Sequence, residues 1–377
     1  MFVKSETDTR RVQIIDVSHL FYKYAFGNAA SLSSTLNIDG VLTRVDTTLP
    51  TYVIKTIHRW SHGGIYPTVV CFDSKGSNKA RKGYCIKHNF LQADGGYKSG
   101  RTMQDGTFYE GINITMNLLL KGGVCCLKAE GYEADDLIKA SVDKAKEQYP
   151  DLPIDVITGD RDLVPLVDDQ VSVFLTSKKT STAVDDQFKK TGYVQITPAN
   201  YQSYMEELSD YKKLSVPYNS VLLTKLLRGD KSDKIPAYPK FTPTKYNALI
   251  QNLVDDGADL SMLFRYDSPT KTYCYRGTGL AIPEELLENT PREDMMVHYG
   301  EPPTLTLIRE VLSNYLEPEV IEHIRVVYHA INLNGAFTDL TPELNRRPAK
   351  ITADIKGYDA GLLQSSVSCV QIVLPVM

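Results

Sequence analysis

Residues 154–163 read IDVITGDRDL, and this stretch decides the architecture. Its β-branched residues Ile154, Val156, Ile157 and Thr158 predict a short strand. A glycine-assisted turn follows, bringing Asp160 and Asp162 within reach of a common cation. The same grammar recurs upstream. VQIID (12–16) ends on Asp16 and TVVCFD (68–73) ends on Asp73, each an apolar run closed by a carboxylate.

Working outward, strands are predicted at 12–15, 68–72, 124–127, 154–158 and 171–175. Helices are predicted from Ser18 and at 52–61, 107–120, 134–148 and 163–167. Such alternation predicts an α/β fold with a mainly parallel central sheet flanked by helices. Beyond residue 192 the texture changes to helical segments split by Pro and Gly, with helices at 245–253 and near 320–333. The expected division is therefore 1–192, α/β, and 193–377, a mainly helical C-terminal region. Residues 256–318 carry little readable pattern, and the ending VSCVQIVLPVM is strand-like and expected to pack against the body.

In an open parallel sheet, ligands bind outside the carboxyl ends of the strands. A lone Asp there is as often a helix cap or turn residue, but three strand ends with the same chemistry point to a shared site. GYEADDL (131–137) adds Glu133, Asp135 and Asp136 at a helix start, where a carboxylate also complements the helix dipole. LLRGDKSDKIP (226–236) adds Asp230 and Asp233, which share a face if the chain turns helically. Nine carboxylates in one pocket raise each other's pKa unless cations neutralise them. A ligand set made of oxygen alone selects hard ions, Mg²⁺ or Mn²⁺. These acids are thus candidate metal ligands for phosphoryl transfer.

The 377 residues, 42% hydrophobic, suffice for a substantial core. The net charge of −4, taken alone, argues against a nucleic-acid partner. With the nine clustered acids set aside, however, the remainder is mildly basic. In the basic segment 74–106, the part up to Arg101 holds Lys75, Lys79, Arg81, Lys82, Lys87, Lys98 and Arg101 against the single acid Asp94, interleaved with Tyr84, Phe90 and Tyr97. That composition suits phosphate contact and base stacking, although a solvated basic loop has the same look. The six cysteines lack CxxC spacing, which argues against zinc and for reduced thiols. No stretch approaches the ~18 apolar residues of a membrane span, and the first residues lack a signal-peptide core. The expectation is a soluble, cytoplasmic monomer.

The order Asp16, Asp73, basic clamp, GYEADDL, TGDRDL and LLRGDKSDKIP resembles the flap-endonuclease superfamily of structure-specific 5′ nucleases. KGYCIKHNFLQADGGYKSGR (82–101) is similar to the clamp of its bacteriophage RNase H branch, and HIRVVYHAINLN (323–334) is a weaker echo. The resemblance implies a PIN/5′-nuclease-like fold and a Mg²⁺- or Mn²⁺-dependent phosphodiesterase with two ions. Glu133, Asp135 and Asp160 would surround one ion, and Asp160, Asp162, Asp230 and Asp233 the other. Asp16, Asp73 and Asp136 would bind directly or through water. It further implies that Lys82, Lys98 and Arg101 neutralise the reacting phosphate, with Lys75, Arg81, Tyr84, Tyr97, Lys240 and Lys245 contacting nucleic acid.

The implied substrates are DNA flaps, nicks and 5′ ends, together with RNA in RNA–DNA hybrid, in replication or repair beside replication proteins. If phage-encoded, the protein would act in the host cytoplasm. One departure stands out. Where the family has a Gly-rich hairpin that often binds potassium, this chain has IPAYPKFTPTKYNALI (235–250), with prolines and no glycine. That departure motivates an alternative, a catalytically inactive nucleic-acid-binding or scaffold protein on the same fold. A haloacid-dehalogenase-type phosphatase is disfavoured, because Asp16-Val17-Ser18 stands where a DxD pair is needed.

Overall fold

A computed structural model of the chain describes residues 10–27, 30–38, 41–89, 97–98, 106–176, 192–206, 213–214, 221–231, 233–239, 241–256, 265–267, 272–274, 309, 311–337 and 340–376. The elements in order are β1 (Val12–Asp16), α1 (Val17–Ala25), β2 (Ser33–Ile38), β3 (Val41–Asp46), α2 (Thr48–Trp60), β4 (Thr68–Cys71), α3 (Lys79–Lys87), α4 (Gly106–Lys121) and β5 (Cys125–Leu127). There follow α5 (Ala134–Gln148), β6 (Ile154–Thr158), a 3₁₀ turn (Arg161–Leu166), β7 (Val171–Leu175), β8 (Val194–Ile196) and α6 (Tyr201–Glu206). The chain continues through α7 (Val221–Arg228), α8 (Pro243–Asp255), β9 (Arg265–Asp267), β10 (Thr272–Cys274), α9 (Pro318–Ile331) and α10 (Ala360–Ser368).

The sheet has six strands in the order β5-β4-β1-β6-β7-β8, parallel except for the antiparallel edge strand β8. Central strands β1, β4 and β6 are buried along their whole length. Helices cover both of their faces, which is why they read as near-continuous apolar runs. On one face α5 lays Leu137, Ile138, Val142 and Ala145 against Ile14, Val69 and Val156. On the other, α1, α2 and α4 meet Ile15, Val70 and Ile157 through Phe21, Ile54 and Leu119. Strands β4 and β5 lie on one side of β1, and β6 and β7 on the other. The crevice at this change of direction is where an open α/β sheet places its ligand.

Several segments differ from expectation. The predicted helix at 163–167 is a 3₁₀ turn containing Pro165, since proline lacks the N–H that an α-helix interior needs. An antiparallel hairpin, β2 with β3, was not anticipated. The basic segment contains a helix, α3, whose Ala80, Tyr84 and Cys85 join the core of the helical region with Leu226, Tyr246, Ile324 and Val327. Near the C-terminus lies α10 rather than a strand, and its Leu363 and Val367 return to the sheet with Ile372 and Leu374. Among the described residues no helix is long and apolar enough to cross a membrane.

Candidate active site and metal centre

Asp16 ends β1 and caps α1. Its Oδ1 accepts from the His19 amide at 3.2 Å and its Oδ2 from Thr158 Oγ1 at 2.8 Å, on neighbouring β6. Burial, reinforced by the charges of Asp73 and Asp160, pushes its pKa up to about 7 despite these two bonds. Asp73, just past β4, accepts from Ser18 Oγ at 2.7 Å and from the Ala134 amide at 2.8 Å, so it also caps α5. Asp160 leaves β6 and accepts from the Asp162 amide at 2.9 Å. A Cβ at Gly159, in the turn before it, would lie 2.2 Å from His19 Nδ1, so a larger residue there would displace the imidazole.

The EADD turn divides into two kinds of carboxylate. Glu133 is buried, with Lys98 Nζ donating to Oε1 at 2.6 Å, Tyr97 OH donating to Oε2 at 3.3 Å, and Arg81 also on Oε2. Burial opposes its charge, but Arg81 and Lys98 outweigh burial and hold its pKa below the usual carboxylate value. Asp136 is fully buried and receives Arg81 Nη2 at 3.0 Å, Arg346 Nη1 at 2.7 Å and Nη2 at 2.9 Å, and the Asn334 amide at 2.7 Å. These partners overcome the burial penalty and bring it to about 2. Asp135, between them, shows the opposite behaviour. Its proton affinity is raised by desolvation and by Asp160 and Asp16, with Lys98 opposing.

Asp162 and Asp230 meet through a cation. Lys225 on α7 donates to Asp162 and, at 2.8 Å, to Asp230 Oδ2. Burial nevertheless raises Asp162 to about 6, with Lys225 opposing and Asp160 and Asp230 adding to it. Asp230 Oδ1 accepts from the Asp233 amide at 3.3 Å, and Lys98 Nζ stands 3.9 Å from the Asp233 carboxylate. Gly229 makes this turn possible. Its φ is +70°, and a Cβ would lie 2.4 Å from the Ile235 carbonyl oxygen.

The expected acids thus border one crevice, but not as one ligand set. Among the described residues no lysine or arginine forms an ion pair with Asp16, Asp73, Asp135 or Asp160. Nor do three or more His, Cys, Asp or Glu side chains among them close around a metal position. The donor chemistry still fits a hard cation at Asp16, Asp135 and Asp160, where desolvation and the charge of Asp160 raise the proton affinity of Asp16 and Asp135. Asp136 departs from its expected place, since its oxygens are taken up by two guanidinium groups and two amides.

The clamp residues also need correction. Arg81 is buried on Glu133 and Asp136, not presented to solvent. Tyr84 packs on Phe337 and His329, and Tyr97 is buried with its hydroxyl between Arg81 and Glu133. In each case an apolar or charged neighbour from another part of the chain claims the side chain first. Lys98 pairs with Glu133 and stands near Asp233. Lys82, Lys75 and Lys245 are exposed, and Lys82 forms no ion pair with the nine acids among the described residues. Arg101 and Lys240 lie outside the described residues. Sequence reasoning missed Lys225, although its place five residues before Asp230 on an amphipathic helix was visible, and Arg346, which no local pattern marks.

A family model described as the 5′-3′ exonuclease N-terminal, resolvase-like domain matches residues 11–192. DNA polymerase I of Caldicellulosiruptor bescii is 31% identical over 140 residues, 37% of this chain and 14% of that protein. The chain therefore spans about a seventh of such a polymerase's length. The 5′-3′ exonuclease of Bacillus subtilis is 26% identical over 230 residues, 61% of this chain and 66% of that one. The solved T5 5′-exonuclease with bound zinc superposes with a TM-score of 0.43 at 14% identity, covering 86% of this chain and 100% of that chain. Residues 11–192, with acids at the ends of parallel strands, match a 5′-3′ exonuclease N-terminal domain, and the chain is similar to a bacterial 5′-3′ exonuclease and to part of DNA polymerase I.

Proposed function

We propose that this chain is a divalent-metal-dependent, structure-specific 5′ nuclease that hydrolyses phosphodiester bonds in DNA. The observation that carries the reading is the delivery of Asp16, Asp73 and Asp160 from three strand ends onto the crevice where the sheet changes direction. Asp16, Asp135 and Asp160 would hold a Mg²⁺ or Mn²⁺ ion, with Asp73 bracing the start of α5. Such an ion, when bound, polarises the scissile phosphate and lowers the pKa of the attacking water.

The protein's own groups do the rest. Lys98, held at Glu133 and close to Asp233, is positioned to neutralise a phosphate entering the cleft. Its partner Arg81 stays in the wall and keeps Glu133 ionised. The second ion of the two expected, at Asp160, Asp162, Asp230 and Asp233, would take the place of the Lys225 ammonium. Residues 1–192 are proposed as the nuclease domain, and the helical remainder as its support and duplex contact through Lys240 and Lys245. Lys75, Lys82 and Arg101 are proposed as outer phosphate contacts. Substrates are proposed as 5′ flaps, nicks and free 5′ ends, with RNA–DNA hybrids as a further class and products bearing a 5′ phosphate.

The test is product-length analysis on labelled flap, nicked and RNA-primed duplexes with Mg²⁺, Mn²⁺ or excess EDTA. Cleavage that requires the added ion supports the reading. Activity in excess EDTA, or binding without any cleavage, overturns it; the latter is the outcome of the inactive binding alternative.

A further inference from the structure

We infer that Arg346, far outside the segment matched by the exonuclease domain, is a positioning residue of the acidic cleft: it fastens the Gly131–Asp136 turn and so sets the direction of Asp135. The inference rests on the nuclease reading above.

Asp135 sits between two anchored neighbours. Glu133 is held by Arg81 and Lys98, and Asp136 by Arg81 and Arg346. Asp135 has no ion pair of its own among the described residues, so its orientation is inherited from the turn. Arg346 grips that turn with a fork, giving Nη1 and Nη2 to the two oxygens of Asp136 at 2.7 and 2.9 Å, while Nη1 also donates to the Gly131 carbonyl at 2.9 Å. A planar guanidinium making paired bonds fixes direction as well as distance. Its ζ carbon lies 5.0 Å from the ring centroids of both Tyr132 and Phe337, so the fork has little room to swing.

The segment that carries Arg346 is itself tied down. Arg346 and Phe337 exchange backbone bonds at 2.8 and 2.9 Å, and Asn334 and Ala349 are joined by bonds of 2.6 and 3.0 Å. Tyr132 OH donates to the Arg347 carbonyl at 2.7 Å, and the Asn334 amide donates to Asp136. Residues 332–337 and 340–349 thus strap the turn. Removing the Arg346 head leaves Asp136 with Arg81 and two backbone amides, so the carboxylate is not stranded. What is lost is the fork that aims the turn.

The experiment compares full-length wild type, Arg346→Met and Arg346→Lys in three measurements. These are circular dichroism with thermal melting, calorimetric titration with Mn²⁺ alone, and steady-state cleavage of a 5′-flap duplex in Mg²⁺. For folded Arg346→Met the expected result is about a tenfold loss of Mn²⁺ affinity, in the range for groups that orient metal ligands. A fall in kcat of about tenfold or more is expected with it, and KM within about threefold. Arg346→Lys, which keeps the charge but not the fork, should recover only part of both losses.

Mn²⁺ affinity and kcat within twofold of wild type in folded Arg346→Met overturn the inference. If that variant does not fold, Arg346→Lys decides by the same criterion. A wild type that binds Mn²⁺ but cuts nothing sinks the nuclease reading while the Mn²⁺ comparison still judges Arg346. A wild type that binds no Mn²⁺ overturns both.

Discussion

Within four residues of one turn, Asp135 and Asp136 meet opposite fates. Asp136, clasped by Arg81 and Arg346, is brought to about 2, whereas Asp135, facing Asp160 and Asp16, has its proton affinity raised. Both lie on α5 and both pay a desolvation cost, so burial alone does not tell a structural acid from a ligand. Compensation does. An acid already satisfied by guanidinium groups has nothing left for a metal, while acids crowded together without cations are poised to take one.

The hardest way to break this contrast is Asp160→Asn. Flap cleavage in Mg²⁺ is expected to fall by on the order of 10³-fold, about 4 kcal/mol of transition-state stabilisation. Binding of the same flap in Ca²⁺ and the melting temperature should be unchanged or higher, because the change relieves repulsion. Asp73→Asn should also lower cleavage while sparing binding. On the compensated side, Arg81→Met should behave in reverse. It takes a guanidinium away from two buried carboxylates, leaving Glu133 with Lys98 and Asp136 with Arg346, and is expected to cost about 3 kcal/mol in urea denaturation.

A smaller effect sharpens the comparison. At 100-fold excess over its dissociation constant, Mg²⁺ should stabilise the wild type by about 2.7 kcal/mol. Asp135→Asn should lose most of that increment, whereas Asp136→Asn, which disturbs the Arg346 fork but removes no proposed ligand, should lose only part of it, each measured against its own EDTA baseline by thermal melting. The smallest effect lies away from the cleft. His58 is buried between Tyr358 and the Pro375 carbonyl, and desolvation lowers its pKa. Its contribution is therefore complete above the unfolded value of about 6.5 and declines as pH falls toward the folded value. Amide exchange near residues 358–375 should rise between pH 7 and pH 5, and His58→Gln should flatten that rise.

Much of this was legible in the primary structure, for a physical reason. Parallel strands buried on both faces must be apolar throughout, so VQIID, TVVCFD and IDVITGDRD announce both the sheet and the acids at its ends. The basic segment misled because composition reports charge and not partners. Arg81, Tyr84 and Tyr97 looked like a nucleic-acid surface, yet Glu133, Phe337 and His329 lie far along the chain. Arg346 was invisible for the same reason, 210 residues from Asp136. The hairpin of β2 and β3 was legible and overlooked, since Asp39-Gly40 between alternating runs is a strong two-residue turn signal.

The return of residues 355–374 to the sheet has a bearing on synthesis. Ile355, Leu363, Val367, Ile372 and Leu374 close the packing around a sheet whose first strand was made more than three hundred residues earlier. A nascent polypeptide that has just released residue 192 from the ribosome still lacks the pieces that seal its interior. An excised fragment ending there would inherit the same bare hydrocarbon around Leu119 and Ile57, and soluble expression would call for carrying the far segment along with it.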